Sequence, residues 1–188
     1  IPDLLAVASF YKDWGGIGGT TNFLAYGEFP ETGEEPDSLY MPRGLITDRG
    51  VNNVKAAQQD KVTEDVTRAW YEPGDAKHPW QGETKPIKKD PKYRSTDGQY
   101  TWLKAPRYEN LCCEVGPLAR VLVAYGKGHE DIVPLVNSTL QQLDVPVTAL
   151  FSTLGRTAAR GLETLAVGAR IEKWVGELVE NIKNGDTA

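Results

Sequence analysis

The stretch from Val147 to Lys183 constrains this chain most, because apolar residues recur through it at helical spacing for longer than a compact body can cover. Leu154, Ala158, Leu162, Leu165, Ala169, Val175, Leu178 and Ile182 follow a 3.6-residue period, Pro146 is preorganised for a helix start, and Asn184-Gly185 suits a C-terminal cap. One continuous helix is the simplest reading. It would run roughly 55 Å, against a diameter on the order of 40 Å for a compact chain of this length. Such a helix overhangs whatever the other residues build. A bend at Gly155, Gly161, Gly168 or Gly176 would shorten it, whereas Gly161 and Gly168, on one stripe, suit close approach of a second helix. A partner outside these residues is expected.

A chain of 188 residues fits one domain or a large piece of a bigger one, and can bury about 70 % of its unfolded surface. With 26 acidic against 21 basic side chains, the net charge of −5 argues against a nucleic-acid surface. No apolar stretch reaches membrane-spanning length. Ile1 opens inside an amphipathic pattern (Leu4, Val7, Ala8, Tyr11, Trp14) with neither signal peptide nor initiator methionine, so the start is read as a cut. The two cysteines, Cys112 and Cys113, are too few for a disulfide framework. Adjacent alpha carbons lie about 3.8 Å apart, closer than disulfides normally bridge, so two buried or half-buried thiols are expected.

Asp13 to Thr21 is a glycine-rich loop leading into a strand at Thr21–Gly27. It lacks the lysine and following hydroxyl of a P-loop, and a helix precedes it, so its glycines are read as the turn that ends that helix. Glu28 to Asp37 reads as an acidic, solvated loop, and Ser38 to Thr47 as an edge strand interrupted by Pro42. Val62, Val66 and Trp70 leave a short helix and a twisted strand both open. Glu72 to Gln99 is a long irregular segment expected either to be pinned by Trp80 and Tyr93 or to be mobile. Tyr100 to Tyr108 is a strand running into a turn, Glu114 to Tyr125 opens a helix with Pro117 in its first turn, and His129 to Leu143 is a further helix. The fold class is therefore α+β, with a long-helix bundle in the C-terminal half and short strands and long irregular loops in the N-terminal half. Residues 1–110 form the strand- and loop-rich part with an N-terminal helix end, and 111–188 the helical part.

No His-x-x-x-His or Cys/His ligand spacing links His78 and His129, which are read as hydrogen-bonding loop and cap residues. Lys104, Arg107, Glu114 and Arg120 fall close together among apolar neighbours. They form either an ordinary ion-pair network or a polar shell around a site built by other parts of the chain. Arg156, Glu163 and Arg170 share one face of the long helix and face either solvent or a partner helix.

Several runs carry a resemblance. Tyr11-Lys12-Asp13-Trp14, Thr20 to Pro30, Leu39-Tyr40-Met41-Pro42-Arg43-Gly44, Ala69-Trp70-Tyr71, His78-Pro79-Trp80, Trp102-Leu103-Lys104-Ala105-Pro106-Arg107-Tyr108, Glu114 to Arg120 and Phe151 to Arg160 resemble, in the same order, the large subunit of the [NiFe] hydrogenases, specifically the membrane-bound uptake group. The resemblance covers essentially the whole chain but only the middle of that subunit. In the family two Cys-x-x-Cys motifs, one near each end, hold nickel and iron through soft thiolates. Neither motif occurs here, so no metal ligand and no catalytic residue is assigned to this chain, and Cys112 and Cys113 receive no ligand role. Arg107 is likewise not the family's arginine over the metal pair, since Tyr108 stands where that motif has glycine.

The resemblance implies that the whole enzyme splits H2 heterolytically and passes electrons to a small subunit carrying iron–sulfur clusters. It implies a Ni–Fe centre with CO and CN ligands and a magnesium ion in the full subunit, none bound by this segment alone. It further implies a membrane cytochrome b as acceptor, and attachment through partner subunits at the periplasmic face of the cytoplasmic membrane. This segment would supply scaffold and an outer polar shell, with Glu114 first, near the family's water and magnesium network, and Lys104 and Arg120 as groups that fix it. The rival from another class is a metal-free structural relative of the quinone-reductase type. A thiol enzyme using Cys113 ranks lowest, because its nearest charge in sequence, Glu114, disfavours the thiolate.

Overall fold

The computed structural model describes residues 2–31, 38–87 and 98–186. The chain divides into two compact units, Thr20–Val123 and, from both ends, Ile1–Gly19 with Ala124–Ala188. Short strands lie in the N-terminal part and, as the helical periodicity requires, a long helix dominates the C-terminal end, an α+β fold.

In the unit Thr20–Val123, β1 (Phe23–Ala25) pairs antiparallel with β4 (Gly44–Ile46), Phe23 opposite Ile46 and Leu24 opposite Leu45. Both strands are buried along their length, which is why they read as continuous apolar runs and not as alternation. Glu28–Pro30 is not solvated loop but strand β2, which pairs with β3 (Leu39–Met41). Pro42 thus separates two strands belonging to two sheets, because it cannot donate to a continuous ladder; the remainder of the expected acidic loop, 32–37, lies outside the described residues. Val62–Asp65 resolves as strand β5, as its β-branched content favours. It joins β6 (Ala105–Tyr108) and β7 (Leu111–Cys112) in an antiparallel sheet of order β5-β6-β7. The β6–β7 turn places Glu109 and Asn110 at φ 47° and 68°, the left-handed pair that a two-residue hairpin needs.

The described part of the long segment, Glu72 to Ile87, is held by backbone and not by its tryptophan. Trp80 is 89 % exposed, while Glu72 N–H donates to Lys85 O, Ile87 N–H to Trp70 O and Glu64 N–H to Lys77 O. Tyr93, the other expected anchor, lies outside the described residues. α2 (Pro117–Gly126) carries proline at its first position and buries Leu118, Ala119, Val121, Leu122, Val123 and Ala124. A helix apolar all round belongs in a core.

In the unit made of both ends, α1 (Pro2–Ala8) runs into a 3-10 segment, Ser9–Gly16, and neither buries a residue. α3 (Ile132–Leu143) seats Ile132, Val136 and Thr139 inward and ends at Asp144 in the left-handed region, φ 52°. The long helix α4 is Thr153–Lys183. It begins later than Pro146 suggested, because the residues after that proline close a 3-10 turn, Val147–Leu150, and Ser152 is the true cap. The Ser152 hydroxyl accepts from Gly155 N–H at 3.1 Å and donates to Ala149 O at 2.6 Å. A Cβ on Gly155 would lie 1.9 Å from Leu150 O, so the turn and the first turn of α4 touch backbone to backbone. At the far end Gly185, φ 79°, donates to Ile182 O and Asp186 N–H to Asn181 O, a Schellman closure.

Burial along α4 is confined to Gly155, Ala159, Leu162 and Ala166. Beyond them Ile171, Val175, Leu178 and Ile182, on one stripe, are 51 %, 53 %, 57 % and 54 % exposed. The expected close approach at Gly168 is not made among the described residues: a Cβ there meets nothing within 4 Å.

Replacing Ser152 by alanine is expected to destabilise the intact folded protein by about 1–2 kcal/mol, read as a lowered urea midpoint with unchanged slope, and Gly155→Ala to cost more than Ser152→Ala.

Candidate functional site

Lys104, Arg107, Glu114 and Arg120 all lie in the unit Thr20–Val123. Glu114 sits where the hairpin returns beside β1. Its N–H donates to Asn22 O and its carbonyl accepts from Leu24 N–H, both at 2.9 Å, a parallel bridge opposite Phe23. Both backbone groups are thus committed, and the half-buried carboxylate accepts the Thr20 hydroxyl at 2.5 Å through Oε2. Asn22 reinforces the junction, its side chain donating to Cys112 O at 3.1 Å and accepting from Asp48 N–H at 3.2 Å.

Lys104 leads elsewhere. Its Nζ lies 3.0 Å from Glu64 Oε2 and 5.9 Å from the centre of the Tyr71 ring. This pair borders a polar cleft of about 270 Å³ lined among others by Glu72, Lys77, Glu83 and Lys85. Arg107 reaches Asp65 at 2.9 Å across the β5–β6 ladder, and its other nitrogen stands 3.4 Å from Cys112 Sγ. The Thr67 hydroxyl and N–H, and behind them the Arg107 guanidinium, hold the Asp65 carboxyl below its ordinary range. Arg120, half-buried, is the fourth residue of α2, its N–H donating to Gly116 O. Lys104 and Arg107 are therefore paired to carboxylates of β5, while Glu114 is tied to the segment before β1. Sequence reading grouped the four by proximity along the chain and missed Thr20, Glu64 and Asp65; the β-branched pair Val62-Thr63 just before the latter two was the available strand signal.

The thiols differ from the expectation that both would be covered. Cys113 is buried, but Cys112 is exposed. Burial first, then the neighbouring Cys112, pushes the Cys113 thiol up to about 11, and its Sγ contacts Leu111 O at 3.5 Å. Such a thiol is a poor nucleophile near neutrality, which removes the thiol-enzyme reading. His78 uses both ring nitrogens, Nε2 on Gln59 O at 3.0 Å and Nδ1 accepting from Trp80 N–H at 3.2 Å. His129 accepts from Asp131 N–H at 3.2 Å, just before α3. Both are loop and cap residues, as expected. Among the described residues no group of three or more His, Cys, Asp or Glu could hold a metal ion, and no helix is long and apolar enough to cross a membrane.

Comparison with known proteins places this geometry. The model of the nickel-dependent hydrogenase family matches residues 1–188. The uptake hydrogenase large subunits of Rhizobium leguminosarum bv. viciae and Rhodobacter capsulatus are each 40 % identical over 208 and 210 residues, covering 100 % of this chain and 35 % of each relative. The hydrogenase-1 large chain of Escherichia coli K12 is 35 % identical over 208 residues, with the same coverage. The chain thus spans about a third of the length of the curated relatives it matches, 35 %. Among solved structures, the [NiFeSe] hydrogenase of Desulfomicrobium baculatum superposes with a TM-score of 0.71 at 28 % identity, over 94 % of this chain and 35 % of that one. The Ni-Fe-Se hydrogenase of Desulfovibrio vulgaris Hildenborough gives 0.70 at 29 % identity, over 94 % and 36 %.

Because the Asp65 carboxyl is held low when folded, its stabilisation is full above the unfolded carboxylate range, about pH 4, and is lost as pH falls through the depressed folded value. Asp65→Asn is expected to lower stability at neutral pH, with the gap to the parent closing in acid; urea melts across a pH series check this.

Proposed function

The chain belongs to the nickel-dependent hydrogenase family, and we propose that it is the central scaffold segment of the large subunit of a membrane-bound [NiFe] uptake hydrogenase, an interior portion of a larger folded subunit. The observation that carries the reading is the match of every residue to a family whose members run to about three times this length. The α4 geometry agrees with it, because an apolar stripe that the chain leaves half exposed is what a helix inside a larger body presents.

The full subunit of this family uses a Ni–Fe centre, and the donors here do not fit as its ligands. Soft thiolates suit such a centre, whereas Cys113 is buried with its thiol near 11. Cys112, its neighbour in sequence, is exposed and stands against the Arg107 guanidinium. One thiol is covered and the next is open, so the adjacent pair cannot converge on one ion as a Cys-x-x-Cys turn does. Both histidines already spend ring nitrogens on backbone groups. The ligands therefore come from residues outside this stretch.

What this segment contributes is position. Glu114, Lys104 and Arg120 form an outer polar shell: Glu114 is fixed by backbone bonds on both sides, Lys104 is paired to Glu64, and Arg120 stands in the first turns of a buried helix. Groups held this firmly can orient water and neighbouring polar groups without rearranging. The whole enzyme, in this reading, oxidises H2 heterolytically to protons and electrons, with CO and CN on the metal pair and a magnesium ion nearby. The electrons pass to an iron–sulfur small subunit and on to a membrane cytochrome b at the periplasmic face. Carrying residues of both signs and a negative net charge, the segment has no nucleic-acid partner in this scheme.

The double substitution Cys112→Ser with Cys113→Ser separates the reading from its rivals. In the intact purified enzyme, elemental analysis is expected to find nickel, with iron in excess of it because the small subunit carries iron–sulfur clusters, and both unchanged by the substitution. Loss of nickel in the variant, or no nickel in the parent enzyme, contradicts it.

A further inference from the structure

We propose that Thr20 is a positioning residue for Glu114, its hydroxyl fixing the carboxylate in one rotamer; this rests on the reading of Glu114 as a polar-shell group. Thr20 stands at the end of the glycine-rich run and belonged to no motif that the sequence analysis gave chemistry to. The structure brings it to the carboxylate from 94 residues away, with Thr20 Oγ1 donating to Glu114 Oε2.

Three features make this a directed contact. Thr20 is anchored on its backbone, since Arg49 Nε donates to Thr20 O at 2.9 Å and Arg49 N–H to Thr21 O at 2.8 Å. Its β-branched side chain has few rotamers, so a fixed backbone fixes the hydroxyl. Glu114 is the opposite case. Its backbone is locked by the parallel bridge to Asn22 and Leu24, but a glutamate side chain retains three rotatable bonds. The Thr20 hydroxyl, carried on its fixed backbone, donates to Oε2 and so restricts those bonds. The geometry also explains why polar Thr20-Thr21-Asn22 precedes a wholly buried strand: Thr20 holds the Glu114 side chain, Asn22 holds its backbone and the Cys112 carbonyl, and β1 begins at the next residue.

The test uses the assembled enzyme carrying Thr20→Val, Thr20→Ser, Glu114→Gln and the Thr20→Val/Glu114→Gln double variant. Nickel content and thermal midpoint are measured beside kcat and KM for H2 oxidation. The expected result is a loss of kcat in Thr20→Val of about tenfold, with KM and nickel content unchanged, recovery in Thr20→Ser, and no further loss when Thr20→Val is added to Glu114→Gln. Equal losses in Thr20→Val and Thr20→Ser, or a full additional loss in the Glu114→Gln background, overturn the positioning role while leaving Glu114 in place. Parent-like kcat in Glu114→Gln overturns the underlying reading of Glu114 itself.

Discussion

Burial along α4 stops at Ala166, and the remaining turns expose a one-sided row of aliphatic side chains. An isolated helix gains little from propensity alone; most helical stability in proteins comes from packing an apolar face. The first half of α4 meets that condition within the chain, capped by Ser152 and pressed on the 3-10 turn at Gly155. Four aliphatic side chains in the second half, each worth about 1.5–3 kcal/mol when fully covered, have no such surface among the described residues. This asymmetry is what makes the chain intelligible as part of something larger.

The unit Thr20–Val123 is built differently. Short antiparallel ladders, with parallel bridges at Glu114 and at Ala69, hold a few charged side chains against fixed partners, each partly covered: Lys104 with Glu64, Arg107 with Asp65, Glu114 with the Thr20 hydroxyl. Partly exposed ion pairs contribute modestly to stability. Their value is geometric, because each joins residues far apart in sequence and leaves the side chains preorganised.

How far the sequence revealed this depends on the range of the interaction. Local signals were readable: Pro117 at the start of α2, Asn184-Gly185 at the end of α4, the helical period in between. Ser152 went unrecognised because Pro146 offered a more visible start, and a 3-10 turn satisfies the same proline. Trp80 was assigned as an anchor by its size, whereas main-chain bonds do the pinning and leave it in solvent. The partners of the site were least legible. Asp65 and Arg107 are 42 positions apart and Thr20 and Glu114 are 94 apart, and only strand pairing brings them together. The family resemblance located Glu114 and Lys104 as residues of interest, but it could not say what holds them.

The central claim is that residues outside this chain cover the outer half of α4 in the assembled enzyme. Amide hydrogen exchange of residues 167–183, compared between the assembled enzyme and the 188-residue chain alone, addresses it most directly. The account predicts slow exchange in the assembled enzyme and fast exchange in the isolated chain, while residues 155–166 are protected in both. Equally fast exchange of 167–183 in the assembled enzyme would contradict it.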